Sequence, residues 1–165
     1  MNTNDEQLMV DVADPKIIPI VEYLRLDTDP PRLEATVCAQ CDAVYLGRRL
    51  ACSRCGYRSF GKRLLPSTGT VASFTIIYRA PKGIKAPYVS ALVRLSDGTL
   101  VKSNLVDVAA DPAQIVLGAS VHLVLVDAGI DDQGTRAVAF AFAPGAVPGP
   151  KAGSGAGPAE GVDPS

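Results

Sequence analysis

The sequence predicts a mostly-β fold, in which a short N-terminal helix and a four-cysteine module precede a five-stranded barrel and a disordered tail. Three observations predict it. All four cysteines fall in one short segment, as two CxxC pairs. Downstream of them, stretches rich in β-branched and aromatic residues alternate with glycine- and proline-containing turns. From residue 144 to the end, 11 of 22 residues are proline or glycine, a composition that cannot bury a core.

Residues 1–32 are predicted to form an arm and a helix. Residues 1–14 are polar and acidic without a period, which is typical of a loose arm. In residues 17–26 the apolar side chains recur at spacings that suit one face of a short helix. Pro19 limits where that helix can begin. No secretion signal is recognisable and no apolar run is long enough to span a membrane, so we expect a cytoplasmic protein.

Residues 33–65 contain the cysteine module. Cys38 and Cys41 form the first pair, and Cys52 and Cys55 form the second pair ten residues later. Each pair can curl into a tight turn that presents two sulfurs, and a hairpin between the turns brings four thiolates to one tetrahedral ion. The pattern therefore predicts a structural zinc site with these four ligands.

Other interpretations of the cysteines remain open. Two disulfides are typical of small secreted chains, for which the signal is not seen here. A redox pair would need one CxxC at the start of a helix in a βαβ setting, and neither pair has such surroundings. Four unrelated buried thiols are the remaining alternative. Iron uses the same four ligands as zinc, so the pattern does not identify the metal.

The turns of the two pairs make a further local prediction. Each turn requires a left-handed backbone conformation at the residue directly after the second cysteine of its pair. Gly56 suits that conformation, whereas Asp42 tolerates it less well. Residues 33–37 are predicted to be a strand that leads into the first turn. Residues 44–46 and 48–50 are predicted to be the short strands of the linking hairpin.

Residues 66–143 are predicted to form the barrel. The five strands expected there are residues 70–78, 88–96, 99–106, 120–126 and 135–143. Asp97-Gly98 alone separates the second from the third strand, which is a strong hairpin signal. Residues 111–118 carry an N-cap acid, a following proline and a final glycine, which predicts a short helix. This order fits a five-stranded Greek-key OB barrel, and an SH3-like barrel is the competing architecture.

Charge is unevenly distributed along the chain. Residues 43–96 contain ten bases and no acid, although the formal net charge is −1. Such a segment predicts an anion-facing surface, with a merely solvated basic face as the alternative. One histidine, His122, falls inside a predicted strand, and no glycine-rich phosphate loop is present. We therefore expect the chain to bind rather than to catalyse.

A basic OB barrel suggests binding of single-stranded nucleic acid, which is the second candidate function. Such barrels combine a positive groove with stacking aromatic residues. Here tryptophan is absent, and Phe74 and Tyr78 lie on one strand face, where core packing is the alternative. The overall acidity also weakens non-specific attraction to phosphates.

The order of motifs is itself informative. It comprises the two CxxC pairs followed by Gly69-Thr-Val-Ala-Ser-Phe-Thr, Ala86-Pro-Tyr-Val-Ser-Ala-Leu-Val-Arg-Leu-Ser-Asp-Gly98, Asp111-Pro112 and Leu117-Gly118. Over about residues 15 to 143, this combination resembles the zinc-ribbon OB-fold proteins associated with acyl-CoA enzymes. Two features depart from that family: Asp42 stands where a glycine is usual, and a tryptophan often found just past the second pair is absent.

The resemblance implies a function and a set of partners. Proteins of that family pair a rubredoxin-like zinc ribbon with an OB barrel, and are small partners of thiolase-superfamily acetyltransferases, thiolases and aldolases. The catalytic residues then belong to the partner, and the hetero-oligomer accommodates an acyl-CoA thioester. The basic segment would face the phosphates of coenzyme A or an acidic face of the partner. The residues expected there are Arg48, Arg49, Arg58, Lys82 and Lys85.

Overall fold

A computed structural model describes residues 17–145, so the predicted arm and almost all of the predicted tail lie outside the described residues. Within residues 17–145 the chain forms ten strands and no helix, and hence no helix that could cross a membrane. The strands are β1 (Ile17–Pro19), β2 (Leu24–Arg25), β3 (Arg32–Cys38), β4 (Val44–Leu46), β5 (Phe60–Leu64), β6 (Thr68–Ile77), β7 (Tyr88–Leu95), β8 (Leu100–Leu105), β9 (Ser120–Ile130) and β10 (Arg136–Pro144).

Strands β6 to β10 close into the predicted five-stranded barrel. Strands β6, β7 and β8 form an antiparallel meander, and β9 pairs antiparallel with both β10 and β6. Strands β8 and β10 meet in parallel at Leu105 and Phe142, which closes the ring. The predicted OB-type barrel is confirmed, including the β7–β8 hairpin at Asp97-Gly98.

Strand β3 is the centre of a second, smaller sheet. It pairs antiparallel with β2, β4 and β5. The predicted strand at residues 44–46 is confirmed, but the predicted strand at residues 48–50 is wrong. Gly47, at φ 80°, turns the chain away from β4, and the strand that pairs with β3 besides β4 is instead β5.

The predicted N-terminal helix at residues 17–26 is not formed. Instead β1 pairs in parallel with β10, and the amide of Ile20 donates to the carbonyl of Val138 at 2.9 Å. A turn then leads to β2, where Leu24 is buried. An isolated helix of ten residues is marginal in water, whereas pairing with β10 satisfies backbone groups of residues 17–20 and pairing of β2 with β3 accompanies the burial of Leu24.

The predicted helix at residues 111–118 is also wrong, because this segment forms turns. The cap is present, since the Asp111 carboxylate accepts a hydrogen bond from the amide of Ala113 at 2.9 Å. The amide of Gly118 donates to the carbonyl of Val71 in β6 at 2.8 Å, and Ile115 is buried. Bonds to the barrel therefore replace those that would have continued the helix.

One hydrophobic core joins the small sheet to the barrel. Leu33, Ala35 and Leu65 belong to the same buried cluster as the inward side chains of the barrel strands, among them Val93 and Phe142. An ion pair between Arg63 of β5 and Asp97 of the β7–β8 turn, at 3.2 Å, links the two sheets at the surface. The small sheet is thus fixed against the barrel.

Gly69 marks a close approach of β6 to β7. A Cβ at Gly69 would lie 2.4 Å from the carbonyl oxygen of Arg94 and 2.9 Å from the Cα of Leu95, both of which are backbone atoms. We expect Gly69→Ala to lower the free energy of unfolding of the full chain by about 2–3 kcal/mol, because the strands must separate to admit the methyl group. Chemical denaturation followed by circular dichroism measures this loss.

Gly61→Ala is the matched control, because a Cβ at Gly61 meets no atom within 4 Å. Gly61 lies in the exposed strand β5, and its replacement should change stability by less than about 1 kcal/mol. Equal losses for the two variants would contradict the steric explanation.

Candidate metal centre and basic surface

The four cysteine thiols converge at one point of the small sheet, which we call the ribbon (residues 24–64). All four Sγ atoms lie within 4.8 Å of one another. The Sγ atoms of Cys38 and Cys55 are 3.6 Å apart, as are those of Cys41 and Cys52, and all four thiols are free. Four sulfurs at about 2.3 Å from a tetrahedral zinc ion would be separated by roughly 3.8 Å. The four cysteines are therefore positioned to bind a metal ion.

The two CxxC turns have the same backbone geometry. The amide of Asp42 donates to the carbonyl of Cys38 at 3.1 Å, and the amide of Gly56 donates to the carbonyl of Cys52 at 2.8 Å. Both residues are left-handed, with φ 57° at Asp42 and 75° at Gly56, as the sequence predicts. The amide of Gln40 points at the Cys38 sulfur at 3.5 Å. Such amides stabilise the thiolate form that binds a metal.

Tyr45 of β4 adds a side-chain hydrogen bond that the sequence does not reveal. Its hydroxyl lies 3.2 Å from the Cys52 sulfur and 2.9 Å from the Ser53 hydroxyl, and the amide of Arg54 lies 3.4 Å from the same sulfur. The Tyr45 ring packs edge-on against Phe60, and the Arg49 guanidinium lies 4.9 Å from its centroid. The tyrosine is thus held in place on two sides.

The environment of the site shifts the pKa values of its thiols in opposite directions. The Tyr45 hydroxyl is the largest cause that lowers the pKa of Cys52, to about 6, against the effect of burial. At Cys55 a backbone hydrogen bond from Tyr57 acts to lower the pKa, but burial and the neighbouring thiols outweigh it and raise the pKa to about 12. At Cys41 a backbone hydrogen bond from Ala43 likewise acts to lower the pKa, but burial and the thiols of Cys52 and Cys38 raise it overall. A metal that binds near pH 7 must therefore displace protons.

The structure separates the five predicted cationic contacts into two groups. Arg48 and Arg49 lie in the loop that follows β4, and Arg58 follows the second CxxC turn; all three are exposed on the ribbon. Lys82 and Lys85 are exposed in the loop that joins β6 to β7 on the barrel. Within residues 17–145, no hydrogen bond or ion pair joins the two groups.

Two other bases of the acid-free segment have carboxylate partners. Lys62 pairs with Glu34, and Arg63 pairs with Asp97. Arg48 borders a cleft of about 270 Å³ that both Lys62 and Glu34 also line. The eight remaining bases of the segment form no ion pair with the acids of the described residues.

The candidate aromatic and histidine groups have ordinary contacts. Phe74 packs against the barrel core, so its ring is not presented for stacking, whereas Tyr78 is 66 % exposed. The Nδ1 atom of His122 lies 3.2 Å from the carbonyl oxygen of Gly145. His122 thus has no thiol or carboxylate partner among the described residues, and Tyr78 is the exposed one of the two aromatic residues.

Several known proteins resemble part of this chain. A family model described as "ChsH2, C-terminal OB-fold domain" matches residues 62–126. A "DUF35 domain-containing scaffold protein" of Methanocaldococcus jannaschii is 30% identical over 90 residues, which cover 53% of this chain and 62% of that protein. A protein of the same description from Methanothermobacter thermautotrophicus is 33% identical over 95 residues, or 56% of this chain and 70% of that protein. The match thus spans a little under two thirds of the first relative.

Two further matches have names that refer to enzymes. A "Probable enoyl-CoA hydratase alpha subunit" of Thermomonospora curvata is 33% identical over 85 residues, which cover 51% of this chain but 27% of that protein. The solved structure "Ltp2-ChsH2(DUF35) aldolase" matches with a TM-score of 0.55 and 31% identity, over 68% of this chain and 84% of that chain.

The Tyr45 hydroxyl should strengthen metal binding. We expect Tyr45→Phe to raise the pKa of Cys52 and to weaken zinc binding about ten- to hundredfold, because one hydrogen bond to a ligand sulfur is lost while the ring remains. Zinc affinity of the wild type should rise with pH, since Cys41 and Cys55 must lose protons. The variant should release zinc at a higher pH than the wild type does. Chelator competition between pH 6 and 8.5 measures both effects.

Tyr57→Phe is the control, because the Tyr57 side chain is 45 % exposed and the structure shows no hydrogen bond from its hydroxyl to a cysteine. Its affinity should match the wild type at every pH. If Tyr45→Phe also matched the wild type, its hydroxyl would have no part in the site.

Proposed function

This chain belongs to the DUF35 family, which confirms the resemblance seen in its motifs, and from that membership we propose that it is a non-catalytic subunit of a thiolase-like acyl-CoA enzyme. The match to the DUF35 chain of an aldolase, at 31% identity over 84% of that chain, is the observation that carries the proposal. In this role the chain binds a large enzyme subunit, stabilises it and helps to accommodate the CoA thioester.

The chemistry of the chain's own residues supports an accessory role. Thioester chemistry by a thiolase-type enzyme requires a nucleophilic thiol beside a general base. All four thiols of this chain lie together in the ribbon, and its one imidazole contacts backbone on the barrel. The reactive groups would therefore come from the large subunit.

We assign the four thiols a structural metal. Cys38, Cys41, Cys52 and Cys55 would hold Zn²⁺, or Fe²⁺ with the same ligands, in a closed tetrathiolate site. A metal with four protein ligands has no position for water or substrate, so its chemistry is to crosslink the two turns. The ribbon would then present a fixed surface to the partner.

We assign the basic loop of the barrel to the ligand. Lys82 and Lys85 lie exposed in one loop with no acidic partner among the described residues. Coenzyme A carries a pyrophosphate and a 3′-phosphate, which two lysines on an exposed loop can reach as point charges. Arg48, Arg49 and Arg58 of the ribbon would meet the same phosphates or an acidic face of the large subunit.

Isolation of the native complex tests the proposed function. The full chain with an affinity tag, expressed in its own host, should co-elute through size exclusion with one protein of thiolase size, and the complex should survive 0.5 M salt. Mass spectrometry identifies that protein. A chain that elutes alone, or that is retained only on single-stranded DNA in a salt-sensitive way, would refute the proposal in favour of the nucleic-acid function.

The lysine loop has its own test on the purified complex. The double variant Lys82→Ala/Lys85→Ala should bind acetyl-CoA about ten- to hundredfold more weakly in calorimetry, since two charge-assisted contacts are lost. Dephospho-CoA should show a smaller difference between wild type and variant. Lys102→Ala, which removes an exposed lysine of β8, should leave the affinity unchanged. An unaltered affinity of the double variant would exclude the loop from the ligand site.

A further inference from the structure

A leucine stands exposed on the ribbon tip, which we define as residues 47–54, from the end of β4 into the second CxxC turn. The side chain of Leu50 is 82 % exposed, more than any other large apolar residue among residues 17–145. Single exposed apolar residues are common on protein surfaces. Leu50 differs from such single residues because of the arginines that flank it.

Arginines without acidic partners flank this leucine in the sequence. They are Arg48, Arg49, Arg54 and Arg58, all exposed. None forms an ion pair with the acids of the described residues, whereas Lys62 and Arg63 of the adjacent strand β5 both do. The two bases of β5 thus have carboxylate partners, whereas the arginines give the ribbon tip an excess of positive charge.

The ribbon tip is held in shape before any partner binds. The Arg49 guanidinium lies 4.9 Å from the Tyr45 ring centroid, and the Arg54 guanidinium lies 3.5 Å from the carbonyl oxygen of Cys41. The tip includes Cys52, whose sulfur lies 3.2 Å from the Tyr45 hydroxyl. Side chains that are already ordered lose little entropy on binding. Arginine and tyrosine also dominate the energetic centres of protein interfaces, and Tyr57 is 45 % exposed nearby in the sequence.

We propose that the ribbon tip is the element that docks this protein on its enzyme partner. Leu50 fills an apolar pocket of the large subunit, and Arg48, Arg49 and Arg54 pair with carboxylates on the rim of that pocket. This inference rests on the proposed function and names the contact that the function requires. Phosphate groups would neutralise the arginines but would leave Leu50 in water, so a protein surface is the occupant that matches both features.

Variants of the tip test the proposal with the large subunit that the wild-type chain retains. Leu50→Asp should weaken binding at least a hundredfold, chiefly through faster dissociation, because a charge enters the apolar pocket. Arg48→Glu/Arg49→Glu should weaken it about tenfold or more and should reduce its dependence on salt between 50 and 200 mM. Biolayer interferometry measures both. Zinc content and melting temperature of Leu50→Asp should equal those of the wild type, since the Leu50 side chain lies outside the core.

Leu117→Asp is the matched control, because Leu117 is 60 % exposed but lies on the barrel. Its affinity should stay within twofold of the wild type. A photo-crosslinking residue at position 50 should yield an adduct with the large subunit, whereas the same residue at position 117 should not.

The outcomes separate this inference from the proposed function. If the wild type binds a thiolase-type subunit and Leu50→Asp binds it equally well, docking through the ribbon tip is refuted and the proposed function stands. Adducts of position 50 with a second copy of the chain, or with nucleic acid, also overturn the inference. If the wild type retains no enzyme subunit, the proposed function itself fails, and this contact fails with it.

Discussion

The convergence of four thiols on one point is the constraint from which the ribbon follows. The ribbon is too small to bury a core of its own, and small units of this kind depend on a metal or disulfides. Strand β3 connects the thiols to the rest of the molecule: it ends at Cys38, while its earlier residues Leu33 and Ala35 are fully buried against the barrel. The orientation of the thiol cluster is thus set by the same strand that anchors the ribbon in the shared core.

The barrel supplies the rigid base for this arrangement. Its closure requires β6 to approach β7 so closely that only a glycine fits at position 69, and β6 also pairs with β9 over the same residues. Strand β1 extends the sheet beside β10, and the turn after it delivers Leu24 to the common core. One folded unit thus contains the ribbon, the barrel and strand β1. Movement of the thiol cluster would therefore disturb the barrel.

Short sequence motifs correctly predicted the features that depend on residues close together in the chain. The CxxC spacing predicted the thiol cluster, and Asp97-Gly98 predicted the β7–β8 hairpin. The two predicted helices failed because distant strands compete for their backbone groups: Val138 of β10 binds the amide of Ile20, and Val71 of β6 binds the amide of Gly118. Tyr45 was not predictable as a partner of Cys52, since the contact exists only after β4 has paired with β3. A residue seven positions from a cysteine carries no such signal.

The acid-free segment of residues 43–96 is better understood as two populations of cations. Lys62 and Arg63 meet Glu34 and Asp97, which lie outside the segment, and these pairs fasten β5 to β3 and to the barrel. The arginines of the ribbon tip and the lysines of the β6–β7 loop have no such partners among the described residues. Exposed ion pairs add little stability, so a fold gains little by pairing every base. The cations without carboxylate partners lie on two separate, exposed elements, and the proposed function assigns one element to a partner surface and the other to an anionic ligand.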